Sequence, residues 1–151
     1  MAIFVTTDPL GGDVQLREVT IQGDNTAGSQ GLVVNIGDGP VRVTDCAITR
    51  VHTGIYVSMF SGSLTLTASE VQGTTYALAT EADDDTPQAT LTVEQSRLTG
   101  GAASAAYLGG TWFTATLRHT HLSGGPVSGD IAPVCLAVSR NAAFAGGPAC
   151  P

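Results

Sequence analysis

Apolar and polar residues alternate with a period of two along Leu64-Thr65-Leu66-Thr67, break at a corner, and resume. From Leu64 to Gly73 the order is apolar, polar, apolar, two outward-type residues, a small hydroxyl residue, polar, apolar, polar, glycine. The same ten-position frame occurs at Val14–Gly23, Val41–Arg50, Leu91–Gly100 and Ala115–Gly124. The starts at 14, 41, 64, 91 and 115 are therefore 27, 23, 27 and 24 residues apart. A period in this range marks a stacked repeat. In each frame the alternation directs the first and third residues inward, as with Val14 and Leu16 or Leu64 and Leu66. Beyond the corner, positions such as Val19 and Ile21 or Ser69 and Val71 point in again.

A second apolar segment follows each of the first four frames: Gly31–Val34, Gly54–Val57, Ala77–Thr80 and Ala105–Leu108. From Val34, Val57 and Leu108 the next frame starts seven residues later, but from Thr80 it starts eleven later. The four extra residues coincide with the acidic run Asp83-Asp84-Asp85. Constant strand spacing, with length variation confined to loops, is what stacked coils predict. No segment sustains the 3.6-residue period of a helix.

The pattern predicts an all-β protein: a single right-handed parallel β-helix, a solenoid of about five to six coils with a cap at each end. Residues 1–13 form the N-terminal cap, with Ile3, Phe4 and Val5 as the residues to cover the first coil. Residues 14–126 form the coils and 127–151 the C-terminal capping segment. Coil lengths this irregular argue against a strict hexapeptide left-handed β-helix, and the leucine–asparagine signature of a leucine-rich repeat is absent. The register also predicts outward columns. One holds Thr65, Thr92 and Thr116. Another runs Arg17, Thr44, Thr67, Glu94, Arg118, and a third Thr20, Ala47, Glu70, Arg97, His121. Glu94 with Arg118 and Glu70 with Arg97 become neighbours at a coil spacing of ~4.8 Å. As exposed pairs each contributes only about 0–1 kcal/mol.

Composition narrows the function. Charged residues make up 13% of the 151, lysine is absent, and the formal charge is −7. That balance argues against nucleic acid as a partner and against an anionic membrane surface. No apolar run approaches the ~18–20 residues that span a bilayer, so no membrane insertion is expected. Met1-Ala2-Ile3-Phe4 lacks the basic start and apolar stretch of a signal peptide. Either the protein is not exported by that route, or the chain is an excised domain with an added methionine. Cys46 sits at the small hydroxyl position of the frame and reads as a buried, inert residue. Cys135 and Cys150 lie outside the frame, and a disulfide clamping the C-terminal tail is the preferred reading.

Candidate chemistry is sparse. Polysaccharide-cleaving enzymes need two or three carboxylates or bases converging within several ångströms, and here carboxylates are scattered singly along the outward columns. Catalytic and cofactor-binding residues are therefore expected to be absent. Asp83, Asp84 and Asp85, with Glu81 nearby, could hold Ca²⁺ through carboxylate and backbone oxygens, although solvated loop charge is the commoner meaning. His119 and His121 flank a corner without an evident third ligand, and His52 lies elsewhere. Threonine columns can match a water lattice, which admits an ice-binding reading, but Arg42, Glu94 and Arg118 interrupt the array. Exposed aromatic rings on a solenoid are a platform for sugars. Tyr107, Trp112 and Phe113 are the candidates for glycan contact, with Tyr56 and Tyr76 in the same region of the repeat, although partial burial of Trp112 and Phe113 where the chain enters coil five is an equally good reading.

The frame Leu64–Gly73, the phrase Gly54-Ile55-Tyr56-Val57 and the phrase Leu122-Ser123-Gly124-Gly125-Pro126-Val127-Ser128-Gly129 resemble the pectate-lyase-like right-handed β-helix repeat modules of bacterial surface proteins and phage tail-type proteins. The ending Val134–Val138, Asn141–Phe144 and Ala149-Cys150-Pro151 resembles their closing segment, in which a cysteine-bearing tail with an aromatic residue folds over the last coil. The resemblance covers roughly residues 14–151 and is specific for architecture, since that superfamily holds lyases, hydrolases, adhesins and inert stalks. It implies a non-enzymatic structural and recognition module of a surface-displayed or fibre-like assembly, such as a tail fibre or adhesin, contacting a cell-surface or glycan ligand. It also implies an extracellular, surface or virion-associated location, and a homo-oligomer, a trimer before other states. The alternative is a small polysaccharide lyase- or hydrolase-like enzyme.

Overall fold

The computed structural model describes residues 2–6, 12–36, 39–59, 61–81, 89–110, 113–140, 143–144 and 150. Strand β1 (Ile3–Thr6) comes first. The first coil supplies β2 (Val14–Arg17), β3 (Thr20–Gln22) and β4 (Gln30–Ile36). The second supplies β5 (Pro40–Thr44) and β6 (Ala47–Met59), and the third β7 (Gly62–Thr67) and β8 (Glu70–Glu81). The fourth supplies β9 (Ala89–Glu94), β10 (Arg97–Thr99) and β11 (Ala106–Leu108). The fifth supplies β12 (Phe113–Arg118), β13 (His121–Ser123) and β14 (Val127–Gly129). Strands β15 (Val134–Leu136), β16 (Ser139–Arg140) and β17 (Ala143–Phe144) close the order. No helix occurs among the described residues.

These strands stack as a parallel β-solenoid of about four turns. The repeat predicts five to six coils, a small difference. One sheet is six-stranded, in the order β15-β12-β9-β7-β5-β2. The other, eleven-stranded, follows β1-β4-β6-β8-β10-β13-β16-β17, with β3, β11 and β14 beside that path. The register is the one the alternation predicts: Val14 pairs with Val41, Val41 with Leu64, Leu64 with Leu91, and Leu91 with Ala115. The second segments stack likewise, Leu32 on Ile55 on Leu78 on Ala106. Their inward side chains form one continuous core in which Leu32, Ile55, Leu64, Leu66, Leu78, Leu91, Leu98 and Leu117 are fully buried. Each such side chain contributes about 1.5–3 kcal/mol by leaving water.

A bend follows the first strand of every rung, and there the backbone does something unusual. Glu18, Asp45, Ala68, Gln95, His119 and Ala137, the same position of six successive rungs, all adopt the left-handed conformation, with φ between 48° and 55°. An L residue other than glycine accepts that conformation at a cost of roughly 1–2 kcal/mol. Stacking offsets the cost, because each of the first five donates its N–H to a carbonyl of the next rung: Glu18 to Thr44, Asp45 to Thr67, Ala68 to Glu94, Gln95 to Arg118 and His119 to Leu136, at 2.9–3.2 Å. The next residue turns inward as the small hydroxyl position, and its side chains form a ladder. Ser69 Oγ accepts the Cys46 N–H at 3.0 Å and Ser96 Oγ accepts the Ser69 N–H at 3.1 Å. Each hydroxyl donates to the carbonyl two residues before it, Ser69 to Thr67 and Ser96 to Glu94, both at 2.8 Å. Cys46 joins through its thiol, 3.3 Å from the Thr44 carbonyl oxygen.

At the N-terminal end β1 extends the larger sheet by pairing in register with β4; Val5 is buried there while Phe4 is exposed. At the other end the solenoid continues past residue 126: β14 stacks on β11, β15 on β12 and β16 on β13. Thr116 pairs with Val134, 18 residues on, so the last pass is shorter than the 23–27 residues of the others and escapes a search at that period. Cys135 occupies the inward place of Leu117 in this rung and is joined to Cys150 by a disulfide, while Cys46 is free and buried.

Candidate ligand-binding face

The second segments present an outward column that alternates large and small residues. Val33, Tyr56, Ala79, Tyr107 and Ser128 are register partners on successive rungs. Their neighbours Leu32, Ile55, Leu78 and Ala106 are buried, so the two-residue period turns this column to the surface. A second column, Gln30, Thr53, Tyr76, stands beside it. The pairing of β6 with β8 is irregular between Ile48 and Thr53, and irregular pairing of this kind re-aims the side chains that follow.

All three tyrosines of the chain line one depression of about 260 Å³, together with Gln30, Thr53 and Glu81. The Tyr76 and Tyr107 rings lie 5.6 Å apart at an interplanar angle of 39°, within the range of favourable aromatic pairs. The Tyr56 hydroxyl donates a hydrogen bond to the Glu81 carboxylate. Ala79 lies between Tyr56 and Tyr107 in the column and is only 6% exposed although it faces outward. It lines the depression at a slot between the Tyr56 and Tyr107 rungs, whose backbones are two strand spacings apart, about 9–10 Å.

Of the aromatic candidates, Tyr107 stands on this face and is 37% exposed. Phe113 does not belong to it. It is buried in the core on β12, on the same side as Ala115 and Leu117, and the two-residue period already pointed that way. Trp112 lies outside the described residues, as do Asp83, Asp84 and Asp85. Among the described residues, no group of three or more His, Cys, Asp or Glu side chains could hold a metal ion. Tyr56, Tyr76 and Glu81 are the face residues that reading the sequence underused. Aligning the second segments places Tyr56 and Tyr107 in one column, and that alignment was the signal for them.

A second depression, about 540 Å³ and shallow, follows the bend, lined among others by Glu70, Gln95, Arg97, His119 and His121. The third predicted column forms as expected, Glu70 beside Arg97 beside His121, and Glu94 beside Arg118. These neighbours do not close as ion pairs. The ion pair among the described residues joins Arg42 to Asp13 at the edge of the six-stranded sheet. His121 is held by hydroxyls on both sides, Nδ1 2.9 Å from Ser139 Oγ and Nε2 3.1 Å from Ser123 Oγ. His52 lies against the Thr75 hydroxyl at 3.2 Å. Among the described residues Glu70 is the one carboxylate lining the depression, whereas glycoside hydrolysis generally calls for two carboxyl groups about 5–9.5 Å apart.

The fold defines the class, an all-β parallel solenoid. No family model, curated protein or solved structure matches the chain.

Proposed function

We propose that this chain is a non-enzymatic structural and recognition module: a right-handed β-helix of the pectate-lyase-like kind, displayed on a surface or in a fibre-like assembly such as a tail fibre or adhesin, that contacts a glycan through its tyrosine face. The observation that carries the reading is the gathering of Tyr56, Tyr76 and Tyr107 around one depression, on a scaffold whose other outward columns hold small and singly charged residues. Apolar sugar faces stack on such rings, and the polar tips of Tyr, Gln and Glu supply orientation. A rigid stack of rungs holds the rings in place before a ligand arrives, which lowers the ordering cost of binding. In this reading the protein works outside the cell or on a virion, as a homo-oligomer with a trimer as the first state to look for.

The second reading, a small polysaccharide lyase or hydrolase, draws on the groove at the bend, where Glu70, Arg97 and His121 stand on successive rungs. A glycan array combined with an assay for new reducing ends or unsaturated products separates the two. Binding without turnover, lost in Tyr107→Ala, supports recognition. Turnover that is lost in Arg97→Ala or His121→Ala overturns it in favour of the enzyme. Light scattering reports the assembly, and a monomer at working concentration argues against a fibre component while leaving a displayed binding module standing.

A further inference from the structure

The tyrosine depression has a charge sign as well as a shape. Among the described residues its ionisable lining group, apart from the phenols, is Glu81, and no arginine or histidine lines it, in a chain of formal charge −7. An anionic sugar would enter against that field. The Tyr56 phenol donates to the Glu81 carboxylate, which pushes electron density into the ring and deepens the negative potential over its face. Tyr107 offers a second ring across the small residue Ala79, and Tyr76 packs against Tyr107 at 5.6 Å. Aromatic faces grouped around a carboxylate attract a cation that is poorly hydrated and apolar at its rim, as an alkylated ammonium is, because the ring quadrupoles and the carboxylate act together. A neutral sugar gains from stacking but draws nothing from the carboxylate beyond a hydrogen bond.

We infer that the Tyr56–Ala79–Tyr107 slot binds an organic ammonium group. This rests on the recognition reading and names the chemistry of its ligand: a glycan bearing a choline-type substituent, or a protonated amino sugar. Both sources present the same cationic group to the same rings.

The test uses the whole chain with its tyrosine rings ¹³C-labelled. All three tyrosines line the slot, so every ring resonance reports on it. Choline, its neutral isostere 3,3-dimethylbutanol, glucosamine, glucose and galacturonate are titrated in turn. Choline or glucosamine is expected to shift the ring signals with saturation, and the neutral isostere to bind roughly tenfold more weakly or less. A preference between choline and glucosamine identifies the source. Glu81→Gln, an isosteric change at the surface, should weaken the cation several-fold and bring it closer to its isostere. Ala79→Leu should abolish the shifts by filling the slot, and an unchanged far-UV spectrum and cooperative melt show that this variant is folded. Equal binding of choline and dimethylbutanol together with equal binding of glucosamine and glucose overturns the inference and leaves glycan recognition intact. Preferential binding of galacturonate also overturns it. No shift with any of the five removes the inference, and if the glycan array is blank as well, the recognition reading falls with it.

Discussion

At the bend between the two sheets every rung repeats one backbone conformation with a different residue, whereas on the second-segment face each rung repeats one conformation with a purposefully different size. Glu18, Asp45, Ala68, Gln95, His119 and Ala137 share φ values of 48–55° although nothing in their chemistry unites them. What the first five share is a carbonyl on the next rung that accepts the amide, and Asp45, Ala68 and Gln95 are each followed by a member of the hydroxyl and thiol ladder. The face column Val33, Tyr56, Ala79, Tyr107, Ser128 is as regular in register, yet its side chains alternate between projecting and receding. The bend spends its side chains on holding the backbone, and the face is free to spend them on shape. In a solenoid, columns that are uniform in hydrogen bonding mark architecture, and columns that are uniform in register but uneven in size mark a surface able to recognise something.

That contrast can be broken most severely from inside. A Cβ at Gly54 would sit 2.4 Å from the Ala77 carbonyl oxygen and 2.3 Å from a Val71 methyl, so Gly54→Val forces the rungs apart. A loss of about 3 kcal/mol is expected from overpacking of this kind, read in urea unfolding. A variant as stable as the parent would show that the rungs are looser than their spacing implies. Next comes the ladder. Ser96→Ala leaves the Ser69 N–H without its acceptor, and the cost of an unpaired buried donor, about 1–3 kcal/mol, should appear without change in ligand binding. Tyr107→Ala reverses the pattern: about 1 kcal/mol of stability from the lost Tyr76 partner, together with loss of binding on the face. Equal damage to binding from both variants would erase the distinction between the two regions.

Smaller changes sharpen it. Ala68 is exposed and left-handed, so Ala68→Gly relieves backbone strain and should raise stability by about 0.5–1 kcal/mol, seen as a higher thermal midpoint. A fall instead would mean that stacking, rather than strain, dominates even at this residue. The smallest effect belongs to the loop after β3. The Asp24 carboxyl is held below its usual range by hydrogen bonds from the Thr26 side chain and from the Thr26 N–H at 3.0 Å. Because the folded value is the lower one, the stabilisation is present above the ordinary carboxylate pKa and disappears as pH falls through the folded value. The parent should therefore lose a small increment of thermal stability on acidification that Asp24→Asn does not lose.

Much of this architecture was legible along the chain. Period-two alternation placed Leu64 on Leu91 and Glu70 beside Arg97, because burying one face of a strand fixes which residues can oppose each other, and a slip of one would expose the whole row. The same rule puts Phe113 on the buried side with Ala115 and Leu117. The short connection before the last rung breaks the period, and β1 pairs as a further strand, so the detail of neither end follows from the repeat alone. The left-handed bend could not be read at all. Local preference would put glycine or asparagine there, and the chain has neither; only the amide and hydroxyl partners on adjacent rungs, distant in sequence, make that conformation affordable. The ligand-binding face divides the same way. Sequence determined that Tyr56 and Tyr107 share a column, since register follows from the buried rows. Tertiary structure alone decided that Tyr76 reaches the same depression and that Glu81 meets the Tyr56 hydroxyl, because side-chain convergence depends on how the strands bend between rungs.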